Sequence, residues 1–421
     1  MRLPTEIESL YIDFDAFFAN AEKQLRPELR GRPVGVIPLA SEYSGLIACC
    51  YQAKACGLKR GTSVREARER CPGIALPVAR HDEYVKLHHR ILAELDRHAP
   101  VRKVWSVDEM EFALIGSERR RAEEIALAMR KGLREAFGPW LTASIGLAPN
   151  QFLAKVAAEM NKPEGLIVLR PEDLPGPLFD LALQDLPGIS GRMQTRLGKA
   201  GVFTVEQLWN LSPKQARAIC NSVEGERMWA QLHGYAVSRP ETERRMFGHG
   251  RVLSGEWRQP AKARDCLRLL TAKAARRLRR ENYLARAIHV SIGTQDGRRW
   301  SGDTGFSPAR DDHTFLQQAS ALFDTGMDVL RARQLSKVSV FLHDISRPGE
   351  TSGDLFEQTS LATERARWER VTDAMDALNA RNGACVVSLG TRKEPPGGYA
   401  GAKIAFGRVP DLNDFLTAPA D

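Results

Sequence analysis

Ser9-Leu10-Tyr11-Ile12-Asp13-Phe14-Asp15 reads as a short buried strand with carboxylates at its end. An acid inside an apolar strand is costly unless it meets a cation or a hydrogen-bond donor. Asp15 also stands where a helix N-cap would, ahead of a helix expected over Ala16–Gln24. A second acidic site matches the first. Trp105-Ser106-Val107-Asp108-Glu109-Met110-Glu111-Phe112 puts adjacent acids at a turn between two strands expected within Val101–Leu114. Glu111 reads as a solvated strand-face residue. Carboxylates from Asp13, Asp108 and Glu109 converging on one point would repel unless divalent metal neutralised them. That is the requirement of two-metal phosphoryl transfer, in which paired Mg²⁺ ions flank the reacting phosphate.

Outward from these acids, strands and helices alternate. Pro33–Pro38 and Gly45–Cys50 are short apolar runs. Ser63–Arg70 is helical and stops at Pro72-Gly73. His81–Ala99 places Tyr84, Leu87, His88, Ile91, Leu92 and Leu95 on one side of a helix. An amphipathic helix over Glu118–Phe137, a strand at Thr142–Leu147, a helix at Asn150–Met160 and a strand at Gly165–Leu169 complete a ferredoxin-like α+β layer. After Pro171 the chain is nearly all helix and turn to about residue 240. A charged link follows, then strand and helix over 248–345. From Ser346 the composition turns Pro/Gly/Thr-rich, with one helix at about 361–381.

The 421 residues predict several domains, and the net charge of +9 is compatible with a polyanionic partner. Seven cysteines form no CxxC pair, and the acidic N-terminal stretch does not resemble a secretion signal. Both point to reduced thiols and a cytoplasmic protein. No apolar run is long enough to cross a membrane. His81, His88 and His89 fit no zinc spacing and read as helix-face residues. Trp105, Trp140, Trp209, Trp229 and Trp257 read as core anchors.

Three segments, in this order, resemble the signatures of Y-family (DinB/UmuC-type) translesion DNA polymerases: Ile12-Asp-Phe-Asp-Ala-Phe-Phe-Ala19, Ser106-Val-Asp-Glu109, and Ser144-Ile-Gly-Leu-Ala-Pro-Asn-Gln-Phe-Leu-Ala-Lys-Val-Ala-Ala-Glu-Met-Asn-Lys-Pro-Glu-Gly165. The resemblance implies an α+β multidomain right hand. Its parts are a ferredoxin-like palm (1–24 and 81–170), small fingers (25–80), a helical thumb with a helix-hairpin-helix (171–240), a linker (241–247), an α/β little finger (248–345) and a tail (346–421). It implies two Mg²⁺ ions held by Asp13, the Phe14 carbonyl, Asp108 and Glu109. It makes Phe18 a steric gate against the ribose 2′-hydroxyl. It assigns Tyr51, Lys54 and Lys162 to the dNTP triphosphate. Many members have Arg where Lys54 stands, and this segment leans towards the UmuC-like branch; a lysine acts as a point charge, without a bidentate grip.

Leu183–Met193 reads as the helix-hairpin-helix. Pro187 and Gly188 make the turn, and Gly191 and Arg192 open the second helix, whose N–H groups suit a phosphate. Residues 260–281 form a basic helix with Lys262, Arg264, Arg268, Lys273, Arg276, Arg277, Arg279 and Arg280 against Asp265 and Glu281. Arg268, Arg276, Arg277 and Arg280 are its candidate contacts to primer–template DNA. Ser352-Gly-Asp-Leu-Phe356 resembles a sliding-clamp peptide lacking its usual leading Gln, with Leu355 and Phe356 as the plug. A UmuD-like accessory subunit is a further candidate partner. The competing readings are a non-catalytic family member acting as a DNA-and-clamp adaptor, and a palm-fold nucleotidyl cyclase.

Overall fold

The computed structural model describes residues 1–40, 42, 44–238, 243–350, 359–382, 385–390 and 409. The chain forms two compact units, one built mainly from Met1–Pro240 and the other mainly from Glu241–Ala402.

In the first unit the elements run β1 (Ser9–Phe14), α1 (Phe17–Leu25), β2 (Gly35–Val36), β3 (Ala48–Cys49), α2 (Tyr51–Ala55), α3 (Val64–Arg70) and α4 (His81–Leu95). Then follow β4 (Val101–Val104), β5 (Glu109–Ala113), α5 (Ala122–Phe137), β6 (Ala143–Ala148), α6 (Gln151–Met160) and β7 (Leu166–Val168). The main sheet has the order β4-β5-β1-β6-β7. Its first four strands pair antiparallel, and β7 adds parallel to β6. That sheet, flanked by helices, is the α+β layer the sequence predicted.

β1 is buried along its whole length because both sheet faces are covered. Leu10, Ile12 and Phe14 enter a core with Tyr84, Ile91, Met129 and Leu133 from α4 and α5. Tyr11 faces the other way, into a core with Leu153, Val156 and Ala157 of α6. Asp13 shares the Tyr11 face by strand alternation. The small β2–β3 pair, with α2 and α3, closes its own core around Val34, Val36, Leu46 and Ala53.

α7 (Gly191–Lys199), α8 (Val205–Trp209), α9 (Pro213–Cys220) and α10 (Val223–Leu232) follow. They share the α6-side core through Leu197, Val205, Leu208 and Leu232. Asn150 caps α6 at Leu153 and also donates to the carbonyls of Gln231 (2.8 Å) and Tyr235 (3.1 Å), tying the helical region to the sheet region. Trp257 is buried as expected, whereas Trp209 and Trp229 stack on His233 at 3.8 and 4.0 Å.

The second unit holds β8 (Met246–Val252), α11 (Pro260–Arg280), β9 (Leu284–Thr294), β10 (Arg299–Ala309), α12 (Asp312–Leu330), β11 (Leu335–Ser346) and α13 (Thr359–Arg381). The sheet order is β10-β9-β11-β8, all antiparallel. Leu267, Leu270, Ala274 and Leu278 of α11 and Phe315, Ala319 and Phe323 of α12 bury one of its faces. Two features were not anticipated. The stretch read as linker ends inside β8, where Phe247 is buried, and the chain from Asp312 forms a long helix capped by Asp311 on the Thr314 amide. No described helix is long and apolar enough to cross a membrane.

Candidate active site

The antiparallel register places Asp13 of β1 directly opposite Glu109, the first residue of β5. Facing strand positions bring Cβ atoms within about 5 Å, and like charges there repel. α6 resolves the conflict from above. It crosses so close to β6 that a Cβ on Gly146 would lie 1.9 Å from the Ala154 carbonyl oxygen. On its underside, one turn apart, stand Lys155 and Glu159. Lys155 pairs with Glu109. Beyond the helix, Lys162 sets its Nζ 2.6 Å from Asp13 Oδ1 and 2.8 Å from Glu159 Oε1.

Among the described residues, Asp13, Glu109 and Glu159 bring carboxylate oxygens within 4.8 Å of one another. The expected set was Asp13, Asp108 and Glu109. Asp108 is turned onto the Ser106 hydroxyl, and its carboxylate lies outside that group, although its charge acts on Asp13. Glu159 was not singled out from the sequence. Its signal was there: it follows Lys155 by one helical turn inside the third motif. The Phe14 amide donates to the Asp108 carbonyl at 2.9 Å, which locks the two acidic segments together.

Burial pushes the Asp13 carboxyl well above the usual range, with Lys162 opposing it. Burial likewise raises Asp108, against its Ser106 hydrogen bond. Lys162 is held above the ordinary lysine range: burial alone would lower it, but Asp13 and Glu159 outweigh that. The site is thus a set of hard oxygen donors whose repulsion two lysines now balance. A hard divalent cation, which takes one or two carboxylates and completes its shell with phosphate and water, fits such donors.

Two acids are not where their sequence reading put them. Asp15 does not cap α1. The N-cap is Ala16, in the left-handed region at φ 46°, and no side chain caps the helix. Asp15 is fully buried and accepts from Ser144 Oγ and from the Glu164 amide, each at 2.9 Å. Glu111 is not solvated; it is buried, accepting from Trp105 Nε1 at 3.1 Å with Arg102 at 3.3 Å. His88 is also buried, and its Nδ1 donates to the Val107 carbonyl at 2.8 Å, just before Asp108.

Phe18 is half-buried in the first turn of α1 and stacks on Tyr84, ring centroids 4.8 Å apart. Tyr51 opens α2, with Lys54 Nζ 4.1 Å over its ring. Burial, then the charge of Asp15, raises the Tyr51 phenol to about 12.

At the start of α7, Gly188 has φ 90°, and a Cβ on Gly188 or Gly191 would meet open space. Ser190, the N-cap, makes no side-chain capping bond, and Arg192 is exposed. In the second unit the basic helix is partly engaged with its own chain. Arg268 donates to the Leu389 carbonyl (3.1 Å), and Arg276 contacts Cys385 Sγ (3.1 Å). Arg277 lies 5.9 Å over the Phe247 ring, and Arg280 is exposed at the helix end. The Arg279 side chain, 5% exposed, lies between Asp312 of α12 and Asp376 of α13. Leu355 and Phe356 lie outside the described residues.

Residues 12–159 match the impB/mucB/samB family and residues 244–355 that family's C-terminal domain. A DNA polymerase IV of Moorella thermoacetica is 31% identical over 90% of this chain and 94% of its own length. DNA polymerase IV 1 of Bacillus subtilis is 26% identical over 90% and 92%. A solved Y-family DNA polymerase chimera of Dbh and Dpo4 superposes with a TM-score of 0.70 at 22% identity, covering 81% of this chain and 99% of that one. An insertion ternary complex of Dbh DNA polymerase gives 0.55 over the same shares. At 22% identity these two speak for the fold.

Proposed function

Because the chain belongs to the Y family of DNA polymerases, we propose that it performs template-directed DNA synthesis of the low-fidelity, translesion kind, joining a dNTP to a primer 3′-hydroxyl. The observation that carries the chemistry is the register pairing of Asp13 with Glu109 under Lys162 and Lys155.

Asp13, Glu109 and Asp108 are the residues that would hold divalent metal, with Glu159 at the margin. A bound pair of Mg²⁺ ions supplies activation of the primer hydroxyl and charge neutralisation at the leaving pyrophosphate. The chain's own residues do the rest. Lys162, released from Asp13, would meet a triphosphate, and Tyr51 with Lys54 would offer a second contact from the fingers. Phe18, one turn beyond the acidic strand, presents a ring to the sugar. The uncapped start of α7 supplies N–H groups to a DNA phosphate without reading sequence. Arg192 and the α11 residues Arg268, Arg276, Arg277 and Arg280 remain candidates for DNA contact. A sliding clamp is a candidate partner through Leu355 and Phe356.

Primer extension with Mg²⁺ and dNTPs tests this. Asp13→Ala and Glu109→Ala are expected to abolish extension and to leave primer–template binding intact. A wild type that binds DNA but never extends it would favour the adaptor reading.

A further inference from the structure

Four of the seven cysteines, Cys49, Cys50, Cys56 and Cys71, belong to the small core around β2 and β3. A thiol packs well as a small apolar group, so burial alone says little. Their surroundings differ. Cys49 Sγ donates to the Leu58 carbonyl at 3.6 Å, and Cys50 Sγ accepts from the Val34 amide at 3.2 Å. Cys56 and Cys71 instead end two helices at one place. Cys56 is the C-cap of α2 and Cys71 the C-cap of α3. Their side chains are hydrogen-bonded to one another. The residues beside them meet as well: Arg70 Nη1 donates to the Gly57 carbonyl at 3.5 Å.

The two thiols are unequal. Cys71 is buried, whereas Cys56 is partly exposed. Burial, then the bond to Cys56, pushes the Cys71 thiol up to about 11. A small disulfide such as oxidised glutathione therefore meets Cys56 first. The Cys56 sulfur attacks one glutathione sulfur, and the glutathione released takes the Cys56 proton. The Cys71 sulfur then attacks Cys56, and the second glutathione leaves with the Cys71 proton. One S–S bond within the protein replaces the one consumed. The protein gives up two electrons and two protons, and glutathione takes both.

α2 is short: Tyr51 is its first residue, and Lys54 stands in its last turn. A covalent S–S bond is shorter than a contact between thiols. Closing it draws the end of α2 towards α3, and a helix of this length moves as one piece. We infer that Cys56 and Cys71 are a redox-responsive pair whose disulfide shifts α2 and loosens the hold of the fingers on a dNTP. The effect on dNTP rests on the reading of Tyr51 and Lys54 as triphosphate contacts.

The test equilibrates the purified protein with mixtures of reduced and oxidised glutathione. Samples are quenched in acid, alkylated, digested without reduction and mapped by mass spectrometry. As the mixture becomes oxidising, a peptide linking Cys56 to Cys71 is expected within one chain, with Cys49 and Cys50 alkylated. Primer extension on the same samples is expected to show the KM for dNTP rising roughly tenfold, the scale of one misplaced contact. Reduced glutathione restores it. Cys56→Ser and Cys71→Ser keep the KM of the reduced wild type and lose the response. Glutathione held on Cys56 without the link, or a link to Cys50, overturns the pair; this mapping needs only the wild type and no activity. A Cys56–Cys71 link at unchanged KM overturns the coupling to dNTP if Tyr51→Ala and Lys54→Ala do raise KM. If those two variants leave KM unchanged, the triphosphate reading of α2 fails instead.

Discussion

The main-chain N–H of Glu164 donates to Asp15 Oδ2 at 2.9 Å, across 149 positions of sequence. The other Asp15 oxygen takes the Ser144 hydroxyl. One buried carboxylate thereby fixes the segment carrying Lys162 to the end of the strand carrying Asp13. Asp15→Ala strips two donors of their acceptor. Unpaired buried donors cost about 1–3 kcal/mol each, so unfolding free energy should fall by roughly 2–6 kcal/mol in denaturant titration. Primer extension should fall more steeply than stability alone explains, because Lys162 loses its seat.

Lys162 and a metal ion compete for Asp13. In Lys162→Met the competitor is gone, and Mg²⁺ added without nucleotide should raise Tm more than it does in the wild type, by mass action on the folded state. The KM for dNTP should rise about tenfold, the effect of losing one charged phosphate contact. Equal Mg²⁺ shifts in the two proteins would remove Lys162 from the acidic site.

Gly146 lies beneath α6 with no room for a methyl group; besides the Ala154 oxygen, a Cβ would meet the Ala158 nitrogen at 2.5 Å. Both obstacles are backbone. Gly146→Ala should destabilise by about 3 kcal/mol or more, at the upper end for overpacked cores. Thermal unfolding measures it. A variant as stable as the wild type would mean that α6 sits higher over the sheet.

His88 titrates unusually. Burial depresses its imidazole from 6.5 to about 4, against the favourable Val107 hydrogen bond. The folded state therefore resists protonation that the unfolded chain accepts. The stability this contributes is full above pH 6.5 and is lost as pH falls towards 4, up to about 3 kcal/mol in all. Denaturant midpoints measured from pH 7.5 to 4 should show the decline, and His88→Gln should flatten that part of it.

The strand of Asp13 and the turn of Asp108-Glu109 were legible because apolar alternation is local and the acids interrupt it. The second partners of Asp15 were not. Ser144 and Glu164 lie far along the chain, and an Asp before a helix looks the same whether it caps the helix or is buried elsewhere. Glu159 escaped because, within a helix, an acid near lysines resembles an ordinary solvated pair; it stays exposed, and only the closeness of α6 to β6 brings its carboxylate near Asp13 and Glu109. β8 was hidden by the charged Glu243-Arg244-Arg245 run just ahead of it and by Gly248 and Gly250, which weaken a strand signature. The basic helix was read as facing a polyanion because a charge count ignores acids supplied from elsewhere in the same unit.

Those acids alter the ionic-strength behaviour to be expected. Arg264 is already matched by Asp324, and Arg279 by Asp312 and Asp376. A guanidinium neutralised from within displaces no counterion from a duplex. A log–log plot of DNA affinity against salt should therefore be shallower than the arginine and lysine content of α11 suggests, and Asp376→Lys, which takes from Arg279 one of its two acids and adds a cation, should steepen that slope while loosening the fold.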